Sequence, residues 1–280
     1  MLDYKPEELK KLKEVSVEIL KEFIRICDKY KLDWFVHWGT AIGTVRHQGF
    51  IPWDDDIDVC MLREDYDTFL EVAPAEIGDR FVLTSAFLQK DCYGMFTRMS
   101  AAGTYHVTEQ EDLWKTKHGI RIDIFPFDSV SGDAGKRRKQ IQAVRFWNQL
   151  YTLKNLPHPY LKGDSLTVRI QKILCPILHT CLKPVPVDWI LHQAEKNALK
   201  YKGQTRLYTL LYDIDAEKWL LSQEDIYPLQ EGTFEGLKVN VLHHNHEALT
   251  TAYGNYMELP PESERVNHNW GRLKFHEEND

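Results

Sequence analysis

The chain has 280 residues, 43% hydrophobic and 28% charged, which is enough apolar content for a packed core and too much for a disordered chain. Lys and Arg total 35 against 42 Asp and Glu, a net charge of −7, which argues against unaided duplex DNA binding, where phosphate neutralisation dominates affinity. Cys27, Cys60, Cys92, Cys175 and Cys181 form no CxxC pair, no run reaches the ~18 apolar residues of a membrane span, and the charged start MLDYKPEELKKLKEV has no signal-peptide stretch; a soluble, cytoplasmic protein is expected.

From 6 to 30 the apolar positions Leu9, Leu12, Val15, Ile19, Phe23, Ile26 and Tyr30 recur every three or four residues. That spacing predicts an amphipathic helix with Pro6 in its first turn. The aromatic and β-branched run at 33–38 predicts a strand, 39–49 a tight turn and short helix, 56–62 a second strand and 64–72 a helix. Between 80 and 127 the pattern is β, in the runs FVLTSAF, YGMFTRMSA, TYHVTE and IRIDIF. Helices are predicted at 136–154, 165–182 and 187–201, then a strand at 233–242 and a helix at 245–254 ended by Gly254. No repeat or low-complexity linker interrupts the chain. The elements describe a single α/β (α+β) domain over 1–280, with a core at 30–130 and a helical and mixed elaboration at 131–280. The helix at 165–182 is strongly apolar but too short to span a bilayer; a core position is expected for it, ahead of an interfacial one.

Chemistry concentrates in PWDDDIDV (52–59). Alternate strand residues share a face, so Asp56 and Asp58 point one way, with Asp54 if the strand extends, and Ile57 and Val59 the other. GIRIDIFPFD repeats the device, with Ile120, Ile122 and Ile124 on one face and Arg121 and Asp123 on the other. Asp123 is therefore expected to join Asp56 and Asp58, with 33–38, 56–62 and 120–125 as neighbours in one mixed sheet. Close carboxylates repel unless protonated or bridged by a cation, and an all-oxygen set suits Mg²⁺ or Mn²⁺. Asp54, Asp56, Asp58 and Asp123 are the candidate metal ligands, in an arrangement that serves phosphoryl or nucleotidyl transfer. A solvated acidic turn fits less well, because apolar residues interleave the acids. So does a calcium loop, since Val59 stands where that loop needs Gly and Asp65 where it needs Glu. Gly39-Thr40 opens a helix after a strand, where free amides attract phosphate. Arg46 is a natural phosphate partner, or else a structural salt bridge to a cluster acid. The spacing of His243, His244 and His246 does not enforce convergence on a metal, and a surface turn is expected there.

The run WGTAIGTVRHQGFIPWDDDIDVCMLREDYDTFL (38–70) resembles the signature segment of the LicD family of phosphotransferases. GIRIDIFPFD resembles its second block, and TFEG and YGNYMELPPESERVNH its closing blocks. The resemblance implies a nucleotidyltransferase-like (polymerase β-like) core with a mixed sheet and helical elaborations. It implies metal-dependent transfer of a phospho-alcohol, phosphocholine or similar, from a CDP-activated donor to a glycan hydroxyl, with release of CMP. Gly39-Thr40 and Asp56-Ile57-Asp58 would be that superfamily's turn and acid pair, and Asp123 its third acid, serving as metal ligand, as base for the acceptor hydroxyl, or both. Arg46, Arg98 and His268 would contact the donor phosphates. The zinc insertion of fukutin-related relatives has no counterpart in these cysteines. A choline head group would want an aromatic cage, and Trp34, Trp38, Trp53 and Trp114 lie nearest the motifs. The partners expected are a CDP-alcohol and a glycan or lipid-linked glycan, with no nucleic acid and with peripheral contact at the inner face of a membrane. Two rivals remain: a nucleotidyltransferase that attaches a nucleotide to a small molecule, and a catalytically idle nucleotide-binding scaffold. Acids at all three positions argue against the scaffold.

Overall fold

Helix α1 (Pro6–Tyr30) spans its predicted length and buries Leu12, Ile19, Leu20, Phe23, Ile26 and Cys27 along one stripe. Its entry is fixed by the Lys5 amide donating to Glu8 Oε2 at 3.0 Å, and Lys31 ends it in the left-handed region at φ 56°. The computed structural model describes residues 4–213, 215–267 and 272–275.

After α1 come β1 (Phe35–Val36), α2 (Trp38–His47), β2 (Asp58–Leu62), α3 (Arg63–Glu76), β3 (Phe81–Thr84), α4 (Ala86–Gln89), β4 (Thr97–Ala101), β5 (Tyr105–Val107) and β6 (Arg121–Ser129). A short 3₁₀ turn, Glu111–Leu113, lies between β5 and β6. The second half holds α5 (Ala134–Asn155), α6 (Leu166–Leu182), α7 (Val187–Ala198), β7 (Leu207–Thr209), β8 (Leu221–Ser222), α8 (Gln223–Ile226), β9 (Gln230–Phe234), β10 (Leu237–Val241), α9 (Asn245–Tyr253) and β11 (Arg272–Lys274).

The main sheet runs β1-β2-β6-β4-β3, with β7 on the far end of β6 and β8 on β7. It is mixed: β2 and β6 are parallel, and the other pairs are antiparallel. The three strands expected side by side are therefore neighbours. One face carries Val59, Met61, Ile122 and Ile124, all fully buried in the cluster that also takes in α1 and α3 side chains, among them Phe23 and Phe69 at 5.1 Å between rings. Burying an aliphatic side chain of this size contributes about 1.5–3 kcal/mol, so this face anchors the sheet. The other face carries Asp58, Arg121 and Asp123 at one end and Cys60, Phe125 and Phe127 beyond them.

Four segments depart from the sequence reading. The strand expected at 33–38 is cut to Phe35–Val36, because Trp38 turns left-handed at φ 44° and starts α2. FVLTSAF splits after Thr84, where the Ser85 side chain accepts from the Leu88 amide and caps α4. The single strand expected at 233–242 is a hairpin, β9 and β10, reversed at Glu235 (φ 49°) and Gly236 (φ 76°), two positive φ angles as in a type I′ turn. The helix expected in the core, α6, has Cys175 as its buried residue and lies mostly in solvent.

Candidate active site

The acidic loop is built on a close contact. The first turn of α2 brings Gly39 so near the loop that a Cβ there would stand 2.5 Å from Asp54 Oδ2. Thr40, buried, accepts the Asp58 amide on its Oγ1 at 2.9 Å, and the His37 amide donates to the Asp58 carbonyl at 3.1 Å. Those bonds tie the start of α2 to the start of β2. Helix geometry leaves the Gly39 and Thr40 amides without partners inside α2, whose first i→i−4 bond is Ala41 to His37 at 3.0 Å. A turn from the Asp54 amide to the Ile51 carbonyl, 2.9 Å, folds the three consecutive aspartates so that ligand oxygens of Asp54, Asp55 and Asp56 lie within 4.8 Å of one another.

Two further residues hold the loop. Lys13 Nζ donates to the Ile51 and Pro52 carbonyls at 3.2 and 3.0 Å; burial lowers its pKa against the opposing pull of Asp54, Glu235 and Asp55. Glu235, at the β9–β10 turn, accepts the Phe50 amide at 3.0 Å. Asp55 is buried beneath the loop beside Tyr4, whose pKa burial and Asp55 raise.

Asp58 and Asp123 are register partners on β2 and β6, and Arg98 on β4 is the partner of Asp123 on the other side. The three form one row across the sheet, with strands about 4.8 Å apart. Beneath it lies a buried charge network that the sequence reading did not contain. Asp123 Oδ1 is 3.1 Å from Arg121 Nε and 3.5 Å from Arg98 Nε. Glu111 Oε1 accepts from Arg121 at 2.6 Å and stands 3.6 Å from Arg98. Burial works against the Arg121 charge, but Glu111 and Asp123 outweigh it and its pKa is raised, with Asp56 adding to the effect. Two cations thus face two anions, and Asp123 is the member nearest solvent, its side chain 15% exposed.

Aromatic rings border the row. Phe125 follows Asp123 on the same face of β6, stacks on Phe96 at 4.3 Å and meets Trp38 edge-on at 4.8 Å. The positive φ of Trp38 costs on the order of 1–3 kcal/mol in a bulky residue, and this packing holds it. Trp219 continues the wall to Tyr253 at 5.9 Å. The Tyr253 ring is about half exposed, and burial with the charges of Asp58, Asp213, Asp54 and Asp56 raises its pKa. Burial among the rings of Trp38, Trp219, Phe35 and Phe127 pushes His37 down to about 3, so it is a neutral plug behind the wall.

Residues 31–155, which carry the loop, the row and the charge network, match the family model LicD/FKTN/FKRP, nucleotidyltransferase domain. The chain is 30% identical over 263 residues to the lipopolysaccharide cholinephosphotransferase LicD of Haemophilus influenzae, covering 91% of this chain and 93% of the relative. The chain belongs to the LicD family. Uncharacterized proteins of Rickettsia typhi and Rickettsia prowazekii share 35% and 33% identity over 57 residues, 20% of this chain and 18% and 21% of theirs.

Within this LicD-family chain the expected residues fall into three groups. Gly39 and Thr40 adjoin the acid loop, and Asp54 and Asp56 converge there with Asp55 as the third member, whereas Asp58 and Asp123 stand as register partners outside that 4.8 Å group; the Asp123 amide donates to the Ile57 carbonyl at 2.9 Å and extends the pairing by one residue towards Asp56. Arg46 and Arg98 are engaged by protein. Arg46 donates to the Tyr256 and Glu258 carbonyls at 2.5 and 3.1 Å, and Arg98 is buried, with the Tyr93 carbonyl as a further partner. His268 lies outside the described residues. The three histidines bond different partners, His243 to Gln230, His244 to Asp225 and His246 to Tyr256, although the rings of His243 and His244 lie 4.6 Å apart. Of the four tryptophans nearest the motifs, Trp38 borders the site; Trp34 and Trp114 are core, and Trp53 lies under Arg265. Asp55, Glu111 and Asp213 went unread. Asp55 was in view as the middle of three aspartates, whereas nothing local marks Glu111 or Asp213.

Proposed function

We propose that the protein transfers phosphocholine from CDP-choline to a glycan hydroxyl and releases CMP, on a nucleotidyltransferase-like core. The observation that carries this reading is the row of Asp58, Asp123 and Arg98 beside the three-aspartate loop, in a chain that matches a cholinephosphotransferase over almost its whole length. The set of ligands around the loop is all carboxylate oxygen, which fits Mg²⁺ or Mn²⁺. Asp54, Asp56 and Asp58 would hold the ion, with Asp123 at the edge. When bound, it neutralises charge on the donor pyrophosphate and on the departing CMP.

In the transfer, the oxygen of the acceptor hydroxyl forms a bond to the phosphorus of phosphocholine. The bond from that phosphorus to the bridging oxygen breaks, and its electrons leave with CMP. The hydroxyl proton goes to a base, which we assign to Asp123. Arg121 and Arg98 fix its carboxylate from below, so it acts from a set position. The amides of Gly39 and Thr40 are offered to a donor phosphate. Trp38 and Phe125 are the aromatic rings beside the acids that suit a quaternary ammonium group, since Phe96 is already engaged by Phe125 and by the Arg98 guanidinium at 4.2 Å. Arg46 acts by bracing the 256–258 segment.

The test is product identity. Incubation with CDP-choline, Mg²⁺ and a glycan acceptor should give free CMP and phosphocholine on the glycan. A nucleotide on the acceptor would instead mark a nucleotidyltransferase, and no turnover with any CDP-alcohol would leave a scaffold.

A further inference from the structure

Helix α6 presents an apolar stripe that no described residue covers. Leu166, Ile170, Ile173, Leu174, Ile177 and Leu178 recur at three- and four-residue steps, which puts them on one side of the helix. Their exposure runs from 45% at Leu178 to 75% at Leu166. The helix is held at its other end and by its other side. His179 Nδ1 meets the Leu153 carbonyl at 2.9 Å, and Lys154 Nζ donates to the Leu182 and Lys183 carbonyls at 3.1 and 2.7 Å. Ser165 caps the entry by accepting the Val168 amide at 3.3 Å. The stripe is therefore a formed surface on an ordered helix, and contiguous apolar patches of this kind mark interaction sites.

Charge selects the occupant. The helix carries Arg169 and Lys172 and has no acidic residue, in a chain whose net charge is −7. Lys162 precedes it and Lys183 follows it; Asp164 pairs with Arg169 at 2.6 Å, so these two charges cancel and Lys162, Lys172 and Lys183 carry the net positive charge. A second copy docked on the same stripe would bring two sets of these cations together, with no acid on either helix to pair them. An anionic bilayer answers both features, since apolar side chains enter the acyl boundary while flanking cations reach the headgroups. At a rise of about 1.5 Å per residue, the 17 residues reach about 26 Å, enough to lie along a surface. None of the described helices is long and apolar enough to cross a membrane.

We infer that α6 docks the protein flat onto an anionic lipid surface, with Leu166, Ile173 and Ile177 buried in the lipid and Lys162 and Lys172 at the headgroups. The contact is independent of the donor and of the transfer chemistry.

The full chain is floated with vesicles of equal parts phosphatidylcholine and phosphatidylglycerol, and with vesicles of phosphatidylcholine alone. It should float with the anionic vesicles, with a preference of about 30-fold over the neutral ones from two cations, and the preference should fall as salt is added. Ile173→Glu with Ile177→Glu should lose at least about tenfold in vesicle affinity while the circular dichroism spectrum and Tm stay unchanged, which shows that the variant folds. Lys162→Ser with Lys172→Ser should lose the preference for anionic vesicles. Wild-type protein that floats with neither vesicle overturns the inference, and so does a double Glu variant that floats as well as wild type. A dimer that the Glu substitutions dissolve, without vesicle binding, would give the stripe to a second copy and overturn it equally.

Discussion

Asp58→Asn and Asp123→Asn each remove one carboxylate charge from adjacent positions of the same row, yet they should act on stability very differently. Asp123 Oδ1 lies 3.1 Å from Arg121 Nε and 3.5 Å from Arg98 Nε, and both arginines are buried. At an effective dielectric of about 20, each contact is worth about 5 kcal/mol of Coulomb energy before desolvation is counted. With the charge gone, two buried cations face Glu111 alone. Removing one partner of a buried pair costs about 3–5 kcal/mol. The 15% exposure of Asp123, and the acceptor oxygen that Asn keeps, reduce this to about 2–4 kcal/mol. Asp58 lies two residues after Asp56, whose carboxylate converges with those of Asp54 and Asp55. Without metal, removing its charge relieves repulsion, so Asp58→Asn should be within about 1 kcal/mol of wild type or more stable. Denaturant titration in EDTA measures both. At temperatures where both variants fold, both should lose CMP release, while calorimetry should show that Asp123→Asn still binds CDP-choline with Mg²⁺ and Asp56→Asn does not. Equal stability of Asp58→Asn and Asp123→Asn would refute the charge network, and loss of donor affinity in Asp123→Asn as complete as in Asp56→Asn would make Asp123 a ligand and leave the base elsewhere.

Three more outcomes follow from the geometry. Gly39→Ala places a Cβ 2.5 Å from Asp54 Oδ2, so it should fold with a loss of about 1–3 kcal/mol but lose turnover by more than about tenfold; full activity would show that the Asp54 position is immaterial. Arg46→Met forfeits the bonds to Tyr256 and Glu258, costs about 1–3 kcal/mol and should open the segment after Gly254 to proteolysis, whereas a raised KM for the donor at unchanged Tm would give Arg46 to the phosphate. Asp65, pushed up to about 6 by burial and by Asp33, gives stability that is present below its unfolded value of 3.8 and lost as pH rises through about 6. Asp65→Asn should therefore raise Tm by about 2 °C at pH 8, corresponding to about 1 kcal/mol for a half-exposed group, and change little near pH 4; the reverse pattern would contradict it.

What could be read in advance followed from periodicity. The stripe of α1 and the alternation of Ile57, Val59, Ile122 and Ile124 against Asp58 and Asp123 are local patterns, and their burial and register agree with them. The acid loop was half legible. Alternation marks Asp56 and Asp58, but the convergence of Asp54, Asp55 and Asp56 comes from a turn closed onto Ile51, which has no period. Glu111 and Arg98 meet Arg121 and Asp123 only through tertiary structure, because the 3₁₀ turn of Glu111 lies ten residues from its partner. The β9–β10 hairpin was hidden because Glu at a positive φ is an unfavoured choice for a type I′ turn, and here its carboxylate is held by the Phe50 amide. For α6, amphipathicity shows that one side is apolar but not what covers it, and a core was the wrong answer.

CMP release from CDP-choline, followed as Mg²⁺ is titrated into metal-free protein, tests the central claim most directly. The account predicts no release in EDTA, saturable recovery with Mg²⁺ or Mn²⁺, and no recovery at any concentration for Asp56→Asn or Asp58→Asn, both still folded by circular dichroism. Release that persists in EDTA, or that either variant retains, would contradict a carboxylate-held metal as the basis of transfer.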